Sequence, residues 1–258
     1  MRHLQIGLGL LALLFCVSCG GRKPATCRNP NYAEVLKKQA ISSLQKGDLY
    51  GALETAQKSE TCNPKDPEIK YWLGRIYLSR KQVPKAIEYL QRALELRKDY
   101  PEANLALAMA YLQLKRWDDA IAQYEIVIKN ELFRTPEEAY NGIGTAWLMK
   151  GDLDKAAQSF QAALAINPNY CFARSNLGEV AAQKGDSAAA IREYQAALQV
   201  CPNYGRAHLL LGLEWQRQKN IPAACREFRT ALKVWPDTDE ARRATEYIQL
   251  LGCPATAP

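Results

Sequence analysis

Residues Glu137–Tyr170 read EEAYNGIGTAWLMKGDLDKAAQSFQAALAINPNY, a stretch of 34 residues. Tyr140, Ile143 and Trp147 recur at three- and four-residue steps, and Ala156, Phe160 and Ala163 do the same after a break, so each half presents one apolar helical face. Gly151 marks the turn between the halves. Pro168 ends the second half, because proline lacks the backbone donor and clashes with the preceding turn. Gly144, Ala156 and Ala163 are small at places where helices must approach to the roughly 8 to 10 Å of packed pairs. A two-helix unit of this kind cannot bury its apolar faces alone, so the flanking sequence must supply neighbours.

It does so on both sides. Cys171–Tyr204 repeats the pattern with Leu177, Gly178, Gly185, Ala190, Tyr194, Ala197 and Pro202, and Gly205–Thr238 repeats it with Leu211, Gly212, Trp215, Ala224, Phe228, Ala231 and Pro236. Upstream, Pro67–Tyr100 supplies Leu73, Gly74, Tyr77, Ala86, Leu90 and Ala93. Pro101–Arg134 supplies Leu107, Ala108, Tyr111, Ala120 and Tyr124, but has Val127 at place 27 and Leu132 where proline belongs. Its second helix is expected to run on to about Phe133, with Thr135-Pro136 as a two-residue insertion. Ala33–Asp66 is the weakest copy, keeping Gly47, Ala52 and Pro64, as expected of a terminal unit with one face in water. Asp239–Leu251 sets Ala241, Ala244, Ile248 and Leu251 on one helical face.

This spacing resembles the tetratricopeptide repeat. The resemblance implies an all-α fold, a right-handed superhelical solenoid of six repeats at 33–66, 67–100, 101–134, 137–170, 171–204 and 205–238, with a C-terminal capping helix at 239–251 and a tail at 252–258.

The N-terminus reads as an export signal. Arg2 precedes an uncharged run of 14 residues, Leu4–Val17, too short for a membrane-spanning helix. The Val17-Ser18-Cys19-Gly20 sequence that follows resembles a bacterial lipobox, although Cys16 stands where leucine is usual. On that likeness residues 1–18 are the signal peptide, Cys19 carries lipid, and 19–32 form the lipidated N-terminus and tether. Gly20, rather than aspartate, beside the lipidated cysteine implies an outer-membrane address on the periplasmic face. Cleavage after Gly20 to give a soluble periplasmic protein is the alternative.

Six further cysteines remain, and the repeat register orders them. Cys171 opens the first helix of its repeat and Cys201 closes the second, which puts both at one end of an antiparallel hairpin. Cys27 and Cys62 stand in the same relation in the first repeat, and Cys225 sits early in the second helix of the last repeat, while Cys253 follows a capping helix that should run back antiparallel to it. The expected disulfides are therefore Cys27–Cys62, Cys171–Cys201 and Cys225–Cys253. The other reading is that some of the six, Cys225 foremost, stay reduced as small buried hydrophobes.

Composition narrows the function. Of 258 residues 24% are charged and the net charge is +7, but no basic run exceeds pairs such as Lys37-Lys38, so nucleic acid is not an expected partner. With only His3 and His208, and no phosphate loop or nucleophile elbow, no catalytic, metal-binding or cofactor-binding residue is expected. The chain reads as a binding scaffold, not an enzyme. By the repeat family's usual groove places, Tyr71, Arg75, Leu78, Leu105, Met109, Leu112, Asn141, Thr145, Leu148 and Met149 are expected to line a concave partner-binding groove, although each leucine could equally pack against the adjacent repeat. Lys37 matches one place of a chaperone-type carboxylate clamp, but Ile41 and Glu102 occupy the other places and exclude it.

Signal, lipobox-like cysteine and six repeats together resemble the PilF/PilW family of type IV pilus lipoproteins, which includes the motility lipoprotein Tgl. That likeness implies a pilotin, an adaptor that binds secretin subunits and promotes their localisation or assembly at the outer membrane. A scaffold recruiting peptidoglycan-processing enzymes, or an outer-membrane assembly factor, is the rival reading.

Overall fold

A computed structural model describes residues 25–29 and 31–254 of the chain. The signal peptide, Cys19 and the end of the tail lie outside the described residues. Among those described there are thirteen α-helices and no strand. They form six antiparallel hairpins and a cap: α1 (Tyr32–Gln45) with α2 (Leu49–Cys62), α3 (Pro67–Ser79) with α4 (Val83–Leu96), α5 (Pro101–Gln113) with α6 (Trp117–Ile128), α7 (Pro136–Lys150) with α8 (Leu153–Ile166), α9 (Cys171–Gln183) with α10 (Ser187–Val200), and α11 (Gly205–Arg217) with α12 (Ile221–Val234), then α13 (Asp239–Leu250). Each second helix also meets the first helix of the next hairpin, and successive first helices touch, which is the layering of a superhelical solenoid. No described helix is long and apolar enough to cross a membrane.

The small-to-large pairing inside a hairpin fixes how close its helices sit. A Cβ on Gly144 would lie 2.5 Å from the ring of Phe160, which is fully buried, so only hydrogen fits there. Each turn inside a hairpin also needs one residue in the left-handed region. Gly151 supplies it at φ 84°, whereas Lys81, Lys115 and Lys219 are held at φ 58–60° in three other turns.

The third hairpin departs from expectation. Helix α6 ends at Ile128 instead of continuing to Phe133. Asn130 stops it: its side-chain oxygen accepts from the Leu132 amide at 3.0 Å, its amide group donates to Asp99 at 2.9 Å, and its carbonyl accepts from the Phe133 amide at 3.1 Å. An asparagine that caps its own turn in this way competes with helical bonding. The segment from Lys129 to Thr135 therefore forms a loop, and Leu132 at its tip is 91% exposed.

The tether also begins the fold earlier than the sequence suggests. Ala25–Arg28 form a short 3-10 turn against α1, and Cys27 is bonded to Cys62 at the end of α2 with Cα atoms 5.0 Å apart. The other bonds are Cys171–Cys201, with Cα atoms 6.1 Å apart, and Cys225–Cys253, with Cα atoms 5.7 Å apart. These are the pairs that the repeat register sets opposite one another. Cys225 reaches its partner because the chain leaving α13 returns to the second turn of α12.

Candidate partner-binding groove

The first helices of hairpins two, three and four line a continuous cleft. Its larger chamber, about 510 Å³, is bounded by Tyr71 and Arg75 of α3, by Glu102, Leu105 and Met109 of α5, by Glu138 of α7, and by Asn130 and Leu132–Thr135 of the loop after α6. Leu105, Met109 and Glu138 also line a second chamber of about 340 Å³, which adds Leu112, Gln113, Tyr124, Asn141, Thr145 and Tyr170. The shared residues make the two chambers one groove.

Several of its side chains are held in place before any partner arrives. The Tyr71 ring is buried and its hydroxyl accepts from the Arg75 guanidinium at 2.7 Å, while that guanidinium lies over the Tyr71 and Trp72 rings at 5.7 and 5.8 Å. Asn141 accepts from the Asn176 side chain of the next repeat at 2.9 Å, and Thr145 donates to the Asn141 carbonyl at 2.9 Å. Burial, the neighbouring Tyr170 and the charge of Glu138 together push the Tyr124 phenol up, so it stays a neutral donor throughout the physiological range. The apolar floor and polar rim of this lining suit a peptide segment.

Seven of the ten groove residues expected from the sequence line this cleft: Tyr71, Arg75, Leu105, Met109, Leu112, Asn141 and Thr145. Three do not. Leu78 packs between the apolar clusters of neighbouring repeats. Leu148 is 4% exposed and belongs to the core cluster that contains Ala173 and Val180 of the next hairpin. Met149 is half-exposed but stands outside both chambers. Leu112 shares its repeat place with Leu78 and Leu148 and still lines the cleft, so the repeat place alone does not set the facing. The loop residues Leu132, Phe133, Arg134 and Thr135 escaped sequence reasoning, and their only signal was the two-residue insertion that displaces them from the repeat.

A second, shallower cleft of about 400 Å³ lies between hairpins five and six, walled by Phe172, Pro202, Tyr204 and Trp235 beside the Cys171–Cys201 bond. Its rings continue a file that starts at Tyr170, with centroid steps of 5.4, 5.0 and 5.8 Å. Two other polar positions are structural. Lys37 is buried among Glu34, Asp66 and Glu68 at 2.6 to 3.1 Å. Burial alone would lower its pKa, and the three carboxylates outweigh that and hold it above the ordinary lysine range. His208, also buried, stands between the Glu227 carboxylate at 2.7 Å and the Pro202 carbonyl at 2.9 Å.

The tetratricopeptide repeat family signature matches residues 28–103, 105–170 and 175–237. A chloroplastic tetratricopeptide repeat domain-containing protein of Arabidopsis thaliana, PYG7, is 32% identical over 106 residues, which is 40% of this chain and 35% of that protein. The chain thus spans only about a third of that relative. Among solved structures, PilW, described as a widely conserved type IV pilus biogenesis factor, superposes with a TM-score of 0.72 at 18% identity, over 83% of this chain and 98% of PilW. PilF of Pseudomonas aeruginosa superposes with a TM-score of 0.66 at 14% identity, over 83% of this chain and 97% of PilF. At such identities the likeness establishes a shared fold. The matching family is one of repeat scaffolds that mediate protein contacts and not a catalytic family. With the signature repeated over most of its length, this chain is a member of the tetratricopeptide repeat family.

Proposed function

We propose that the protein is a pilotin, an outer-membrane lipoprotein adaptor that binds secretin subunits and promotes their localisation and assembly for type IV pilus biogenesis and pilus-dependent motility. The observation that carries this reading is the extent of the likeness to PilW and PilF, which takes in 98% and 97% of those chains and not merely a few repeats. The lipobox-like Val17-Ser18-Cys19 sequence agrees with it, since lipid on Cys19 would supply the membrane address. In this mechanism the groove over α3, α5 and α7 takes a segment of the secretin, and no covalent step is required.

Pulldown from envelope extracts tests it. The wild-type chain should recover a secretin, and Met109→Glu, which places a charge on the apolar floor, should recover about tenfold less. Capture of peptidoglycan hydrolases without any secretin would overturn the pilotin reading in favour of a cell-wall scaffold. Cys19→Ala should remove the protein from the outer-membrane fraction, and a variant that stays in the outer membrane would refute the anchor.

A further inference from the structure

The groove is not uniformly apolar, and its charges are ordered along its length. Arg75 is the only charged side chain that α3 contributes, and Glu138 of α7, which borders both chambers, is the only charged side chain lining the second. Between them lie Leu105 and Met109, the floor common to both chambers. Glu102 and Arg134 add one charge of each sign to the first chamber and leave its balance unchanged. Neither Arg75 nor Glu138 takes part in any ion pair among the described residues, whereas charges elsewhere on the surface pair freely, as Arg92 does with Glu88 and Arg116 with Asp119.

Arg75 is also pre-set for recognition. The Tyr71 hydroxyl and the two aromatic rings fix its guanidinium plane and leave its other donors free. A fixed guanidinium loses little freedom on binding and matches a carboxylate with two parallel bonds. Glu138 faces the Tyr124 and Tyr170 phenols, which stay uncharged because of burial and of Glu138 itself, so its carboxylate is the local charge that a cation would meet.

We infer that the groove selects its occupant by charge order, taking an apolar protein segment that carries a carboxylate over Arg75 and a cationic side chain beside Glu138. This rests on the groove being the partner site. Two helix spacings separate α3 from α7, roughly 20 Å, so the two charges of the occupant stand about six residues apart if it is extended or about thirteen apart if it is helical.

The test uses fluorescein-labelled 15-residue peptides of leucine, methionine and alanine, with charged residues at either of those spacings, titrated against the full mature chain by anisotropy. An Asp/Lys peptide should bind about tenfold tighter than its Asn/Lys and Asp/Gln counterparts. Arg75→Gln should abolish the preference for Asp over Asn. Arg75→Glu should transfer the preference to a Lys/Lys peptide. Circular dichroism and urea unfolding should show both variants folded, since Arg75 is solvent-exposed. Equal binding of Asp/Lys and Asn/Lys, or a preference that survives Arg75→Gln, overturns the charge order but leaves the groove standing. If no peptide binds at all, the groove itself is refuted as a peptide site, whatever the secretin pulldown gives.

Discussion

The two ends of the solenoid and its middle solve different problems. The first hairpin, the last two and the cap carry all three disulfides, whereas the hairpins from Pro67 to Ile166 carry none. The first hairpin and the cap each have a neighbour on one side only, so less apolar burial opposes their fraying and a covalent bond restricts the unfolded chain instead, whereas the fifth hairpin is stapled although it packs on both sides. The middle hairpins are buried on both sides and hold together by packing. They are also where the groove lies, its apolar floor left free of staples and its rim shaped by a loop.

Breaking a staple at the end should have the largest effect. Cys225→Ala with Cys253→Ala opens a loop of 28 residues and should cost about 3.5 kcal/mol, read by urea unfolding. Hydrogen exchange should quicken in α13 and α12 and remain unchanged in α5 and α7. Equal loss of protection in the middle would mean that the staples support the whole solenoid and not its ends.

A change in the middle should act through volume. Gly144→Ala forces a methyl group against the Phe160 ring and should destabilise by about 2 kcal/mol, in reducing and oxidising buffer alike. Dependence on the redox state would show that the two regions are coupled.

The next effect depends on pH and separates the ends again. Both ring nitrogens of His208 face acceptors, Glu227 and the Pro202 carbonyl, which only the doubly protonated ring can serve at once. Burial alone lowers its pKa, but these two bonds outweigh burial and raise it. A raised folded-state pKa stabilises most below the unfolded value of about 6.5, and that contribution is lost as pH rises through the folded-state value. Wild-type stability should therefore fall over that window, and His208→Gln should flatten the profile. A profile unchanged in His208→Gln would assign the pH dependence to another group.

The smallest effect is a gain. Lys115 holds a left-handed backbone conformation that costs a side chain roughly 1 to 2 kcal/mol, and glycine avoids this at an entropic cost of about 0.5 to 1. Lys115→Gly should stabilise by about 0.5 kcal/mol in thermal melts. The same exchange at Lys219, in the stapled part, should give a like gain if these turns are local features.

Much of the fold is legible in the chain because packing demands recur every 34 residues. Gly144, Phe160 and Pro168 recur as Gly178, Tyr194 and Pro202 one period on, so one good copy identifies the weaker ones. The groove was legible only in part. Met109 and Leu105 of α5 face the cleft, but Leu148 has the same residue type and a neighbouring register and turns into the core. Leu112, at the same repeat place as Leu148, lines the cleft, so the packing of the particular neighbouring hairpins decides the facing and the repeat register does not resolve it. The loop at Leu132 was illegible for another reason: the sequence there continues apolar and helix-compatible, and only the bonds of Asn130 to Asp99 and to its own turn halt the helix.

By itself, then, the sequence determined the repeat, the number of hairpins and the order in which cysteines could meet, because each follows from local periodicity and from which end of a hairpin a residue occupies. Tertiary structure alone decided how the chambers join into one groove and that the loop after α6 forms one wall. Those features depend on the curvature and spacing of stacked hairpins and on contacts between residues from different layers, which no periodicity within one hairpin encodes.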